Sequence, residues 1–258
     1  MTIGLLRHIA LAVAIVALLC AVATAAPAKK KKKPKPCAVT FEKCEPSGCA
    51  KDDAGKLFNQ LKRTVPSSGT AIRLTLDDLE SLQDLAASLV GEGKDLTPSE
   101  RNKLRNLKVS TGAVSEGSLV EITGFLAANP RPNSSGESVN CRFTGGANND
   151  FHIPIGRDPD DDEFEGIVAE MIPQKRPVEW TVPNLKKVRK ARQLVLVRGQ
   201  LFYDNEHVVN KDPDDVIGGQ PKRFSLWEIH PVTEFLVCQV AAQTCDPARA
   251  EHWKPLGK

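Results

Sequence analysis

The apolar residues in the first half of the chain recur three and four positions apart, which is the period of an amphipathic helix. Residues 52–65 form one such stretch, and Thr75 can cap a second helix. The run Thr97-Pro98-Ser99-Glu100 is a capping box and predicts a third, short helix. Three helices are too few to enclose a core alone. We therefore predict that residues 37–112, which also hold cysteines, form a helical layer packed on the C-terminal half of the chain.

Beyond residue 113 the period changes to that of β-strands. Strands are predicted at residues 118–127, 139–143 with 150–155, 167–172, 193–203 and 223–237, with one helix at 183–192. The resulting β-β-β-α-β-β order is that of the OB-fold, a five-stranded barrel; another small barrel or an α+β sheet is the alternative. The predicted class is α+β: a helical N-terminal layer followed by an OB-like barrel over residues 113–240, with a C-terminal tail over 241–258.

The first 36 residues have a composition of their own. Arg7, an apolar run and Ala23-Thr24-Ala25 match the three parts of a secretory signal peptide, so residues 1–25 are predicted to be removed on export. An uncleaved membrane anchor is the alternative. Residues 26–36 hold six lysines separated by prolines, which predicts an extended tether. Contact of this tether with an anionic surface is its alternative role.

The charge distribution argues against a dedicated nucleic-acid binder. The chain has a net charge of +3, but Arg7 and the six tether lysines carry seven of its 35 basic residues. The 28 basic residues that remain are outnumbered by the 32 acidic residues, all of which lie after position 36. The part of the chain that is predicted to fold is therefore acidic, whereas nucleic-acid affinity depends on neutralising phosphates.

Cysteine usage supports export. Six cysteines follow the predicted signal peptide, and an even number in an exported protein predicts up to three disulfides. Their spacing does not choose between the pairings, and it contains no C-x-x-C pair of the kind that binds zinc. The six are Cys37, Cys44, Cys49, Cys141, Cys238 and Cys245.

Several short motifs mark the C-terminal half: Asn140-Cys141, Asp150-Phe151-His152, and the run from Arg223 to Pro231 that contains Trp-Glu-Ile-His-Pro. With these motifs the chain resembles a group of exported, OB-fold-like proteins, and the Trp-Glu-Ile-His-Pro strand is the most specific of them. Residues 59–63 are similar to the N-terminal part of the same group. The resemblance implies a fold and a location outside the cytoplasm, and it implies no reaction.

Three of the four histidines after the signal peptide follow a carboxylate by two or three residues. Positions two apart on a strand share a face, so His152 and His230 should each lie beside such a carboxylate. Glu170 is on the strand after His152 and should approach it across a hairpin. The full candidate cluster is Asp150, His152, Glu170, Asp204, His207, Glu228 and His230.

This cluster has three interpretations. It can be a hydrogen-bond network that fixes the barrel, a zinc site, or the acid–base site of a metal-dependent hydrolase. The sequence contains no H-E-x-x-H motif, nucleotide-binding loop or nucleophile elbow that would decide for an enzyme. Calcium is disfavoured in the acidic loop at residues 158–163, because Glu163 stands where a calcium loop needs glycine.

Basic and aromatic side chains suggest a ligand-binding face on the barrel, since OB-folds bind oligomeric ligands on such a face. The candidates are Arg176, Trp180, Arg223 and Trp227, although Trp227 alternates with Ile229 as core residues do. We expect an exported, non-catalytic binding or structural module that recognises a glycan, peptide or protein. The metal-dependent hydrolase is the first alternative, and nucleic-acid binding is the second.

Overall fold

The computed structural model describes residues 35–214 and 222–258, so the predicted signal peptide and most of the predicted tether lie outside it. The helices are α1 (Asp53–Arg63), α2 (Leu76–Val90), α3 (Pro98–Arg101) and α4 (Val182–Lys190). The strands are β1 (Ile72–Arg73), β2 (Leu107–Val109), β3 (Gly112–Val114), β4 (Leu119–Leu126), β5 (Arg131–Pro132), β6 (Phe151–Gly156), β7 (Ile167–Met171), β8 (Val195–Tyr203), β9 (Trp227–Cys238) and β10 (Trp253–Pro255).

Five of these strands pair into a closed ring. β4 is antiparallel to β8, β8 to β9 and β6 to β7, while β9 runs parallel to β7. The end of β4 pairs back onto β6, where Phe125 faces Gly156 and Leu126 faces Ile155. The ring strands follow the predicted order along the chain, with α4 between the third and the fourth. The predicted α+β class is confirmed.

The helical segment packs on this ring. Thr75 and Thr97 both form the capping boxes that start α2 and α3. Leu79 and Leu82 of α2 are fully buried in the same hydrophobic core as Ile122 of β4, so segment and ring share one interior. Strands β1 to β3 also lie in this segment and were not predicted, because two or three residues are too few to show a period.

The predicted strand at residues 139–143 is wrong. This stretch is a turn, in which Cys141 and Arg142 adopt positive φ angles of 50° and 61°. A disulfide from Cys44 to Cys141 holds the turn against the N-terminal segment, and the Asn149 side chain donates a hydrogen bond to the carbonyl of Phe143 at 2.8 Å. The long-range disulfide and the local hydrogen bond replace the ladder that a strand would have made.

All six cysteines among the described residues are paired, as Cys37–Cys49, Cys44–Cys141 and Cys238–Cys245. The predicted disulfides are therefore confirmed, and three of them indicate folding in an oxidising compartment. The last bridge joins the end of β9 to the C-terminal segment, whose strand β10 pairs with β9. Among the described residues, no helix combines the length and the hydropathy that crossing a bilayer requires.

Candidate functional site

Strand register brings the predicted cluster together. His152 of β6 and Glu170 of β7 are direct partners, and His152 Nε2 lies 2.8 Å from Glu170 Oε1. Ala169 of β7 faces Ile229 of β9, which places the next residues, Glu170 and His230, side by side. Glu170 thus stands between two imidazole rings that come from the strands on either side of it.

His230 is completely buried and faces three carboxylates. Its Nδ1 lies 2.9 Å from Glu170 Oε2 and 3.3 Å from Glu228 Oε2, and its Nε2 lies 3.4 Å from Asp150 Oδ2. The edge of the ring packs on Phe202 at 5.5 Å between centroids. Burial alone would lower the pKa of His230, but the adjacent carboxylates, Glu170 first, outweigh it and raise the pKa well above its ordinary value.

A second group of charges continues from Glu228. Arg223 is fully buried, forms an ion pair with Glu228 and lies 3.8 Å from Asp204. Asp204 Oδ2 is 3.3 Å from His207 Nε2, and His207 keeps 30% of its side chain exposed. All seven predicted residues therefore belong to one continuous chain of contacts that runs from the interior to the surface.

Sequence reasoning missed Lys62 as a member of the site. Its ammonium is buried, lies 4.0 Å from Glu170 Oε2, and sits 5.4 Å from the centre of the Phe58 ring. Burial opposes the charge, but Glu170, Asp204 and further carboxylates overcome that effect and raise the pKa of Lys62. A signal was present: Lys62 is four residues after Phe58, and so it lies on the apolar face of α1.

The pKa values of two carboxyl groups in the site, Glu170 and Glu137, shift in opposite directions. Burial would raise the pKa of Glu170, but His152, His230 and Lys62 hold it well below its usual range. Glu137 has less help: burial and the nearby Asp150 raise its pKa to about 7. Glu170 is therefore an anion within the protein, while Glu137 exchanges its proton near neutral pH.

An open cleft of about 550 Å³ lies over this cluster. Lys62, His152 and Glu170 form part of its lining, and the rest comes from residues 131–137 together with Glu206 and His207. The His152 side chain is 17% exposed, whereas that of Glu170 is 1% exposed. The imidazole of His152 therefore lies between Glu170 and the cleft and is the more accessible of the two groups.

The predicted ligand contact at Arg176 is occupied within the protein. Its guanidinium donates hydrogen bonds to the carbonyls of Asn149 and Met171 at 3.0 and 3.1 Å and to that of Gly146 at 3.1 Å. It also lies 3.6 Å from the centre of the Phe151 ring. Arg176 therefore holds the loop that leads to Asp150.

The other three predicted ligand contacts are buried, whereas Arg176 is partly exposed. Trp227 and Arg223 have no exposed surface, and Trp180 is only 8% exposed. The Trp227 ring packs on Tyr203 at 5.1 Å between centroids, so it serves as a core residue. A buried indole offers no stacking surface, which corrects the expectation of a ligand face built from these side chains.

Two further charged segments, the basic helix α4 and the acidic loop at residues 158–163, make contacts within the protein. In α4, Leu185 and Val188 are buried while Lys187 is exposed, and Arg192 after the helix forms an ion pair with Asp160. In the acidic loop, the carboxylate of Asp161 accepts backbone hydrogen bonds at 2.7 and 2.9 Å from residues 157 and 158. These carboxylates shape the turn, as Asp residues commonly do.

Comparison with family models, curated proteins and solved structures finds no match to this chain. The function is therefore argued from the cleft and the charges beneath it.

Proposed function

We propose that this protein is an exported binding module, built on an OB-like barrel, that holds a basic side chain of an extracytoplasmic peptide or protein in the cleft. The observation that carries the proposal is the lining, in which Glu137 and Glu206 bring two carboxyl groups to one opening, above the buried Glu170. The cations there are already engaged, since Lys62 faces Glu170 and Arg131 forms an ion pair with Glu163. An incoming ammonium or guanidinium group completes the charge balance.

The acidic groups at the opening favour a cationic ligand over a neutral one. Burial raises the pKa values of Glu137 and Glu206, with neighbouring carboxylates adding to the effect. A bound cation would stabilise the ionised form of both groups. The attraction for a basic partner is local to the cleft, because the six tether lysines offset the excess of acidic residues after position 36.

The same lining disfavours the other ligand classes. Among the described residues that line the cleft, none is Phe, Tyr or Trp, so the cleft lacks the stacking surfaces on which single-stranded nucleic acids bind. Its carboxylates would also repel phosphates. A glycan could bond to Asn133 and Ser134, but it would leave the carboxylates without a partner.

Titration calorimetry with a short oligolysine peptide and a Gly/Ser peptide of equal length tests the proposal. We expect the mature protein to bind only the lysine peptide. The double variant Glu137→Gln, Glu206→Gln should weaken that binding about tenfold or more, since the two lost charge pairs together are worth about 1.4 kcal/mol or more. Glu251→Gln, outside the cleft, is the control and should bind like the native protein. Equal binding of both peptides, or no effect of the double variant, would refute the proposal.

Peptide hydrolysis is the second candidate function. The contact between His152 and Glu170 favours it, because an imidazole held by a carboxylate and open to a cleft can transfer protons. Burial alone would lower the pKa of His152, but Glu170 outweighs it and raises the pKa, which favours the proton-donating role of a general acid. Mass spectrometry of the lysine peptide after prolonged incubation tests this activity. Cleavage by the native protein that is lost in His152→Ala would establish hydrolysis, and an intact peptide would exclude it for this ligand.

A further inference from the structure

The buried charges of the site do not balance through lysine and arginine alone. Four buried carboxylates face two permanent cations, Lys62 and Arg223. The carboxylates are Asp150, Glu170, Asp204 and Glu228. Arg63 and Arg176 act on Asp150, and His207 lies beside Asp204, but all three are partly exposed. Two of the buried carboxylates therefore have no buried cation of their own even before Glu137 is counted, and uncompensated ions are strongly disfavoured in a protein interior.

Three polar atoms at the centre of this region, each able to ligate a metal, also lack hydrogen-bond partners. Within the part of the chain that the structure describes, Asp150 Oδ2, Glu170 Oε2 and His230 Nε2 are buried and make no well-directed hydrogen bond. Their contacts with one another are close but badly aligned for hydrogen bonding. One nitrogen or oxygen from each residue lies within 4.8 Å of the other two.

We propose that Asp150, Glu170 and His230 bind one divalent transition-metal ion, and zinc is the ion we expect. A single divalent ion would supply both charges and would bond to His230 Nε2 and Asp150 Oδ2. Glu170 Oε2 now lies 2.9 Å from the other ring nitrogen, Nδ1, and would turn toward the ion to complete the set. Donor atoms around a tetrahedral zinc ion stand about 3.3 Å apart, since the bonds are about 2.0–2.2 Å long. The 3.4 Å between His230 Nε2 and Asp150 Oδ2 already matches this spacing.

The groups around the three ligands suit a metal. Asn140 Nδ2 donates to Asp150 Oδ1 at 3.0 Å, which orients that carboxylate and leaves Oδ2 for the ion. Glu228 lies 3.3 Å from His230 Nδ1, so it can hold a proton there and direct Nε2 to the metal. One imidazole nitrogen with two carboxylate oxygens favours zinc over calcium or magnesium, which prefer oxygen ligands.

Complete burial of all three ligands makes this a structural ion. It would nevertheless influence the cleft, because Glu170 contacts both His230 on the inner side and His152 on the outer side. The metal would fix the position of the Glu170 carboxylate, which contacts the imidazole of His152. The inference stands apart from the proposed function, since its test measures metal and not ligand binding.

The competing explanation is that His152 and His230 are both protonated, because two imidazolium ions would also supply two charges. The two explanations predict different chemistry. With a metal, His230 is a neutral ligand and the protein contains about one metal equivalent. Without a metal, both ring nitrogens of His230 carry protons.

Elemental analysis of the mature protein, produced without a histidine tag in zinc-supplemented medium, is the first experiment. We expect about one equivalent of transition metal, lost in Asp150→Asn and in His230→Gln. His252→Gln, in the C-terminal segment outside the cluster, is the matched control and should retain the ion. Less than about a tenth of an equivalent in the native protein would overturn the proposal.

A second measurement covers the case in which the variants do not fold. Native protein refolded from chelator should gain visible absorption bands with cobalt(II), and excess zinc should remove them. Its melting temperature should rise by several degrees when zinc is present during refolding. Absence of both effects, together with nitrogen NMR signals of a doubly protonated His230, would assign the missing charges to protons and overturn the metal site.

Discussion

At the scale of single residues, Lys62 shows how far the site departs from ordinary helix design. Its place on the apolar face of α1 would normally belong to a hydrophobic residue, yet it carries a buried charge beside Glu170. The surrounding carboxylates compensate for its loss of hydration, and it compensates for theirs. Removing one charge of such a buried pair lowers the stability of a protein more than replacing both partners with apolar residues does.

Replacement of Lys62 by Met keeps most of the apolar stem and removes the charge. Because Glu170 and Asp204 lose a compensating cation, we expect the free energy of unfolding in urea to fall by about 3–5 kcal/mol. Lys56→Met is the control: Lys56 is on the same helix with 44% of its side chain exposed, and its effect should be below about 0.5 kcal/mol. Equal, small losses in the two variants would show that the buried charge is not needed.

Tyr203 is the only tyrosine of the chain, so tyrosinate absorbance reports on it alone. Burial raises the pKa of its hydroxyl, which donates a hydrogen bond to the carbonyl of Gly91 at 3.2 Å. We expect the native protein to show little tyrosinate at about pH 11, whereas the urea-unfolded chain should titrate near pH 10. Because the unfolded state ionises first, stability should decline as the pH rises above about 10. Coincident titration curves would contradict this.

At the scale of elements, the junction of β8 and β9 requires glycine. The pairing of these strands is irregular on both sides of Gly199. A Cβ at that position would overlap the carbonyl oxygen of Pro231 and lie 2.7 Å from a methyl group of Ile229. The strand that carries His230 can therefore approach β8 only because position 199 has no side chain.

We expect Gly199→Ala to lower the free energy of unfolding by about 1–3 kcal/mol, the usual cost of overpacking. Gly69→Ala is the matched control, because its Cβ would meet nothing within 4 Å, and its effect should stay within about 0.5 kcal/mol. Urea denaturation of both variants makes the comparison. A tolerated Gly199→Ala would mean that the two strands can separate without loss.

The elements that could be predicted from sequence are those whose pattern is local. β4 and β8 have enough consecutive residues to show the period of a strand. Thr75 is the N-cap of α2 and marks the start of that helix in the sequence. The turn at Cys141 depends on a bond to Cys44, 97 residues away, which no local pattern contains. The same holds for Arg176, whose carbonyl partners are set by the folded loop.

For the site, parity along strands was sufficient to predict which side chains meet. His152 and Glu170 could be paired because a hairpin aligns neighbouring strands, and Glu228 and His230 because alternate residues share a face. Burial could not be predicted in the same way. Whether Trp227 faces a ligand or the core depends on which face of the five-stranded ring is covered by other side chains, and that is known only once the whole chain has folded.

At the scale of the whole molecule, the disulfides differ in what they enclose. Cys44–Cys141 closes a loop of 97 residues, whereas Cys238–Cys245 closes one of seven. In the chain-entropy account the longer loop restricts the unfolded state more, so its bridge should stabilise more, by about 4–5 kcal/mol against about 2–3 kcal/mol. Paired Cys→Ala variants compared by urea denaturation should show that order. The reverse order would mean that local packing, and not loop length, determines each contribution.

The Cys44–Cys141 bridge also has a bearing on when the protein acquires its site. Asn140, which orients Asp150, is the residue next to Cys141, and the segment from 131 to 137 forms one wall of the cleft. As long as these two thiols are reduced, only weaker contacts hold that segment in register with the N-terminal part of the chain. In a newly synthesised, reduced polypeptide this wall of the cleft would therefore be less firmly fixed, although the pairing of β6, β7 and β9 would still align His152, Glu170 and His230. Complete assembly of the cleft would then require an oxidising compartment.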